Sequence, residues 1–379
     1  MDGKYALLLP LLGAVASAQQ SLYGQCGGIG YSGSTACVAS ATCTSANDYY
    51  YQCVPATGVA SKTTTTAVTT TAKTTSKAST TTKAPSTSKT TSVATSTGTA
   101  PSSSATQYFI TFGDSYSQTG FNVTTGPLPD ASNPLGNPPF PGYTTDNGNN
   151  WIDNLIAVYN KTLLLNYNFA YGGATTNSSL VAPYEVGVLS LVDQVTEFTD
   201  SIASKPSTAP WTSSDSLFGV WMGVNDVGNS WYESNVTDIL NAIMTSYFDQ
   251  MQILYDAGAR NFLLLSVPPI QETPLMLASG ATSDAEEAVV IEQYNDLLAT
   301  NLASFEASNS GITAQLVNTT IPFQTAIDDP TAYGAANATC YDADGTTCLW
   351  WNNYHPGLAI QKLVAEEIAG GTFKGSFFT

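Results

Sequence analysis

One histidine stands in the whole chain, His355. A hydrolase that needs an imidazole near neutral pH therefore has a single candidate base, and histidine-rich metal centres are excluded. Positive charge is scarce as well: 11 Lys and Arg face 29 Asp and Glu, for a formal net charge of −18. Five of the cations (Lys62, Lys73, Lys77, Lys83, Lys89) crowd into one acid-free stretch, and from residue 107 onward 27 acids face five basic residues. That balance repels phosphate backbones and anionic bilayers, so neither nucleic acid nor membrane is an expected partner, whereas a neutral saccharide is compatible. Long apolar runs are missing beyond the N-terminus, where a membrane helix would need roughly 20 residues, and no lipid-anchor tail is present.

The N-terminal run has the layout of a secretory signal: Lys4, then apolar Tyr5 to Val15, then Ala16-Ser17-Ala18. Residues 1–18 are accordingly expected to be removed, giving a secreted, extracellular chain that starts near Gln19. In such a compartment six cysteines read as three disulfides. Cys340 and Cys348 make a poor metal site, because two thiols with no second pair and no further histidine leave a tetrahedron incomplete. Joined to each other, they close a short loop just ahead of His355 and stiffen the approach to it.

Composition divides the remainder into three. Residues 19–55 hold four cysteines and many Gly and Tyr, and so short a segment needs its disulfides to fold. Exposed tyrosines beside Gln25, Asn47 and Gln52 suit pyranose rings, whose C–H faces stack on aromatic planes while hydroxyls meet amides. A disulfide knot with space-filling tyrosines is the plainer alternative. Residues 56–105 are almost wholly Thr, Ser, Ala, Lys and Pro, the composition of an O-glycosylated tether with nothing to bury. From 106 to 379 the chain turns globular.

The first of these segments closely resembles the fungal family 1 carbohydrate-binding module. The resemblance rests on Tyr23-Gly-Gln-Cys-Gly-Gly28, the four cysteine spacings and Asn47-Asp-Tyr-Tyr-Tyr-Gln-Cys53. It implies a cellulose-binding platform of Tyr23, Tyr49 and Tyr50 with Gln25 and Asn47, and disulfides Cys26–Cys43 and Cys37–Cys53. Strand alternation alone places Tyr49 and Tyr51 on one face instead.

Beyond residue 106, β-rich runs at 108–112, 163–169, 217–222, 261–267 and 312–317 alternate with helical stretches near 151–159, 189–203, 239–259, 284–307 and 358–369. Repeated strand, helix, strand predicts a three-layer α/β domain with a parallel sheet. Three predicted strand ends carry polar or glycine residues: Gly113-Asp-Ser115, Asn168-Phe-Ala-Tyr-Gly-Gly173 and Gly223-Val-Asn-Asp226. Carboxyl ends of parallel strands share one rim, so Ser115 is a candidate nucleophile, with Gly173 N–H and the Asn225 amide as candidate oxyanion donors. Each piece alone has a plain reading as a turn or helix cap. His355 lies in Trp350-Trp-Asn-Asn-Tyr-His-Pro356, just before the last helix. Six Asn-x-Ser/Thr sites, at Asn122, Asn160, Asn177, Asn235, Asn318 and Asn337, are candidate N-glycan positions expected at the surface.

In their order along the chain these blocks, with Asn147-Gly148-x-x-Trp151, resemble the GDSL or SGNH hydrolases, and lean toward fungal acetyl esterases of carbohydrate esterase family 16. The resemblance implies a flavodoxin-like domain with five parallel strands. Ser115 would be the nucleophile, Ser115 N–H, Gly173 and Asn225 the oxyanion hole, and His355 the base. No metal or organic cofactor is called for. The family usually places an aspartate three residues before the histidine, where this chain has Asn352. The orienter of His355 stays open among the Asn352 carbonyl oxygen, a backbone carbonyl, Asp342 and Asp344, with Asn352 or a nearby carbonyl expected. The expected activity is removal of O-acetyl groups from plant cell-wall saccharides, such as acetylated oligosaccharides or xylan, by a monomer anchored to cellulose. A lipase or other short-chain carboxylesterase of the same family, or a cellulose-binding protein with impaired catalysis, are the alternatives.

Overall fold

All five β-rich runs become strands of one parallel sheet in the computed structural model. It describes residues 106–379 in full and, before them, residues 19, 25–27, 35–37, 39, 41–45 and 51–55, of which 25, 44, 45 and 51–55 by backbone alone. The chain divides into two compact units, residues 1–103 and 104–379.

In the first unit β1 (Gln25–Gly27), β2 (Ala41–Ser45) and β3 (Tyr51–Pro55) form an antiparallel sheet in the order β1-β3-β2, with Cys43 opposite Cys53. The Cys26–Cys43 disulfide is formed. Cys37 is also disulfide-bonded, and the side chain of its expected partner Cys53 lies outside the described residues. So do the proposed signal and tether, Tyr23, Asn47, Tyr49 and Tyr50, and the side chain of Gln25.

The second unit runs β4 (Gln107–Gly113), α1 (Trp151–Ala157), β5 (Leu164–Asn168), α2 (Leu191–Ser201), β6 (Ser216–Trp221), α3 (Val224–Gly228), α4 (Val236–Ala257), β7 (Asn261–Leu265), α5 (Pro274–Leu277), α6 (Ala281–Ser308), β8 (Thr313–Val317), α7 (Thr320–Asp328) and α8 (Leu358–Gly370). Strand order is β5-β4-β6-β7-β8. The four strands β4 to β7 are buried nearly throughout, as a parallel sheet covered on both faces requires, while the edge strand β8 is partly exposed. Helices α1, α7 and α8 pack together, and so do α2, α4 and α6, which gives the three layers. Among the described residues no helix is long and apolar enough to cross a membrane.

Both neighbours of β4 follow it in sequence, β5 on one side and β6 on the other, so the chain reverses its direction of travel across the sheet there. At such a switch point the carboxyl ends of the strands leave a crevice for ligand. Fully buried Trp151, Trp221 and Tyr116 pack edge to face beneath it, with ring centroids 6.0 Å (Trp151 to Trp221) and 5.6 Å (Tyr116 to Trp221) apart. Helix α1 starts where expected because Asn150 caps it: its Oδ1 accepts from Ile152 and Asp153 N–H, and the Asp153 carboxylate accepts from Asn150 N–H. Helix α4 begins three residues earlier than the apolar periodicity indicated, and α3, α5 and α7 are short elements without a sequence signal long enough to declare them. Of the six glycan sequons, Asn122, Asn235, Asn318 and Asn337 are exposed. Asn160 and Asn177 are half-buried, and their amides donate to Thr162 O (2.8 Å) and Ser246 Oγ (3.1 Å).

Candidate active site

Strand β4 stops at Gly113, and the chain turns at once, because the Asp114 carbonyl accepts from Ser117 N–H (3.1 Å) and Gln118 N–H (2.9 Å). Ser115 sits on that turn at the rim. Several side chains fasten the turn from outside. Gln194 brackets Gly113, accepting from its N–H at 3.0 Å and donating to its carbonyl at 2.8 Å. The Asn150 and Asn168 amides both donate to Ser117 O, and Thr145 Oγ1 donates to Ser115 O at 2.5 Å. Asn168 belonged to a block singled out in the sequence, but Gln194 and Thr145 carry no local signal. Their roles come only from where the chain brings them.

His355 arrives from the opposite side, on an irregular stretch before α8. Its Nε2 lies 2.8 Å from Ser115 Oγ, across 240 positions of sequence. Its Nδ1 lies 3.0 Å from Asn352 Oδ1. The same oxygen accepts from the backbone N–H of Tyr354 (2.8 Å) and of His355 (2.7 Å). Those two backbone donors fix which end of the amide faces inward, since only an oxygen can accept from them. Nδ1 must therefore carry the ring proton, and the Nε2 lone pair faces the serine hydroxyl. Of the orienters left open by the sequence, Asn352 is the one in contact. Asp342 accepts instead from Asp344 N–H, and Asp344 from Thr346 and Thr347 N–H, within their own turn.

The ring is walled by Tyr116, Tyr354 and Trp351, with centroids 5.6, 5.9 and 6.0 Å away. Burial among these rings, opposite an uncharged amide, pushes the His355 pKa down from 6.5 to about 4. The Cys340–Cys348 disulfide is formed, and the loop it closes is further held by Trp350 Nε1 donating to Ala338 O (2.7 Å) and by Gly357 N–H donating to Leu349 O (2.7 Å). The loop presses on residues 146–148: a Cβ on Gly345, whose φ is +70°, would fall 2.0 Å from Asp146 O, so only glycine fits.

The oxyanion candidates lie on the adjoining strand ends. After β5, Gly173 takes φ +81° in a turn where Ala174 N–H donates to Tyr171 O, and Tyr171 N–H donates back to Gly113 O. After β6, Asn225 sits in α3, and its Nδ2 donates to Ala174 O at 3.0 Å, which fixes the amide and leaves a second N–H available. Among the described residues, neither Ser115 N–H nor Gly173 N–H has an intramolecular acceptor. Beneath them Asp226 takes Thr176 N–H and Oγ1, while Asp114 takes Tyr116 N–H. Both carboxyls are fully buried without a cation, and burial raises each to about 7.

A family model described as GDSL-like lipase/acylhydrolase matches residues 109–368, and one described as fungal cellulose binding domain matches residues 22–50. An acetylesterase of Thermothelomyces thermophilus is 57% identical over 275 residues, which cover 72% of this chain and 90% of that protein. Over 56 residues, a probable 1,4-beta-D-glucan cellobiohydrolase C of Aspergillus niger is 57% identical, covering 15% of this chain and 12% of that one. Among solved structures, an acetylxylan esterase from Geobacillus stearothermophilus aligns with 13% identity and a TM-score of 0.42, over 70% of this chain and 95% of the other.

Proposed function

The chain belongs to the GDSL-like lipase/acylhydrolase family, is a carboxylic ester hydrolase and carries a fungal cellulose binding domain; from that membership we propose that it is a secreted esterase that removes acetyl groups from cell-wall saccharides. Ser115 Oγ attacks the acetyl carbonyl while His355 Nε2 takes the hydroxyl proton. Ser115 N–H, Gly173 N–H and the second Asn225 N–H receive the negative charge that forms on the carbonyl oxygen. As the tetrahedral intermediate collapses, His355 returns the proton to the departing sugar alkoxide. Water, deprotonated by the same Nε2, then attacks the acetyl-serine and releases acetate.

The observation that supports this most is the relay from Asn352 Oδ1 through His355 to Ser115 Oγ, 3.0 and 2.8 Å. It presents a neutral imidazole in the one tautomer able to act as base. An amide in the third position orients the ring but adds no charge to stabilise the imidazolium of the transition state, so turnover is traded for a base that stays unprotonated in acid. A cellulose-bound module joined by a Ser/Thr-rich tether raises the concentration of the domain near insoluble substrate without altering its site. The acetylesterase named above supports acetyl as the acyl half of the ester.

Turnover of p-nitrophenyl acetate by the wild-type chain and by Ser115→Ala tests the assignment. Loss of about 10⁴-fold or more is expected for the variant. Equal rates would remove Ser115 from the mechanism.

A further inference from the structure

The catalytic pair and its donors engage the acyl half of the ester, and a separate feature fits the alcohol half. Beside the oxyanion turn opens a cleft of about 490 Å³, lined by Leu180, Pro183, Tyr184, Asn229, Tyr232 and Glu233 among others. Resting on the esterase reading above, we propose that this cleft is a subsite for neutral sugar residues flanking the acetylated unit, with Tyr184 and Tyr232 as its stacking surfaces.

Two contacts tie the cleft to the chemistry. The Tyr184 ring lies so close over Gly173 that a Cβ there would fall 2.3 Å from its Cε1. Asn229 is the C-cap of α3, the short helix that also carries Asn225. A chain of sugars leaving the acyl site along this side runs over Tyr184 into the cleft that Tyr232 also lines. Both residues are largely exposed, Tyr184 at 67% and Tyr232 at 62%. Large aromatic faces left in water at the mouth of a cleft are what a pyranose covers through its C–H face. Tyr232 is backed edge to face by Trp231, with ring centroids 5.5 Å apart, which holds its plane in place.

Chemistry of the lining narrows the occupant. Asn229 and Glu233 supply hydroxyl partners, which an acyl chain would leave unsatisfied. No Lys or Arg lines the cleft, and the acid excess of the domain disfavours an anionic ligand. The volume lies within the range of about 300–1,000 Å³ typical of small-molecule sites.

The test compares kcat/KM of the full chain on p-nitrophenyl acetate and on acetylated xylooligosaccharides of rising length. Wild type is expected to favour longer oligosaccharides. In Tyr232→Ala the ratio of oligosaccharide to simple-ester kcat/KM should fall about 10-fold, chiefly through KM, and the length dependence should flatten. Tyr232→Trp, which keeps a ring face, should retain the ratio. If Tyr232→Ala turns over both esters with the wild-type ratio, the subsite is overturned and the esterase reading stands. If the wild-type chain cleaves neither ester, the esterase reading falls and the subsite falls with it.

Discussion

The two sides of the candidate catalytic rim are held by different means. Ser115, Gly173 and Asn225 each follow the carboxyl end of a parallel strand, so ladders between β5, β4 and β6 set their spacing. His355 and Asn352 belong to no regular element. Short-range bonds hold them instead: the Asn352 carbonyl with its three donors, the Cys340–Cys348 bridge, and the indole of Trp350. The sides differ in charge as well. The sheet side buries Asp114 and Asp226, raised to about 7, while the loop side buries His355, lowered to about 4. Between those values all three groups are uncharged, so the site needs no ion pair to pay for burial in mildly acidic surroundings.

If the sheet side is as rigid as its ladders imply, a donor can be deleted from it without disturbing the rest. Asn225→Ala is expected to lower kcat on p-nitrophenyl acetate by about 10²–10³-fold with KM nearly unchanged, the signature of an interaction made in the transition state. A change confined to KM would place the amide on ground-state binding and end its role as oxyanion donor.

The loop side is tested through charge. In Asn352→Asp a carboxylate faces Nδ1, favours the imidazolium and raises the His355 pKa. Besides Asn352, the ring meets Ser115 and the faces of Tyr116, Trp351 and Tyr354, none of them charged in acid. The acid limb of kcat/KM, expected near pH 4 in the wild type, should therefore move upward, and the plateau should rise by about 10-fold. An unmoved limb would mean that the residue at 352 does not govern the base.

This contrast also explains what was legible in the sequence. The strands were readable because Tyr108 to Phe112 and its counterparts are short, β-rich and bounded by glycine or asparagine, and their shared rim follows from parallel topology alone. Ser115, Gly173 and Asn225 could thus be named from strand ends. The loop side offered His355 only because no other histidine exists. Choosing Asn352 over Asp342 or Asp344 needed the turn itself, although the spacing contains a hint: an Asn side chain commonly accepts from N–H groups two and three positions on, here Tyr354 and His355. Gln194, Thr145 and Tyr184 were not readable, since each acts across a gap in sequence that no local pattern spans.

The smallest expected effect concerns stability, where the two sides pull in opposite directions. Asp114 and Asp226 titrate near 7 when folded, against 3.8 for the free group. The folded state thus keeps protons that the unfolded chain releases, and the stability this gives is full below about pH 4 and lost as pH rises through 7. Buried Glu287, raised to about 7, and Asp146, raised to about 6, act in the same sense. His355 does the reverse, since its folded value of about 4 lies below the free 6.5, so its contribution is full above 6.5 and lost as pH falls through 4. Four carboxyls outweigh one imidazole, and the thermal midpoint of the large unit should be higher at pH 5 than at pH 8, by on the order of 5 °C. Scanning calorimetry of the wild-type chain at the two values measures it. A midpoint that is flat or higher at pH 8 would mean that the sheet-side carboxyls stay ionised when buried, and the contrast in charge between the two sides of the rim would dissolve.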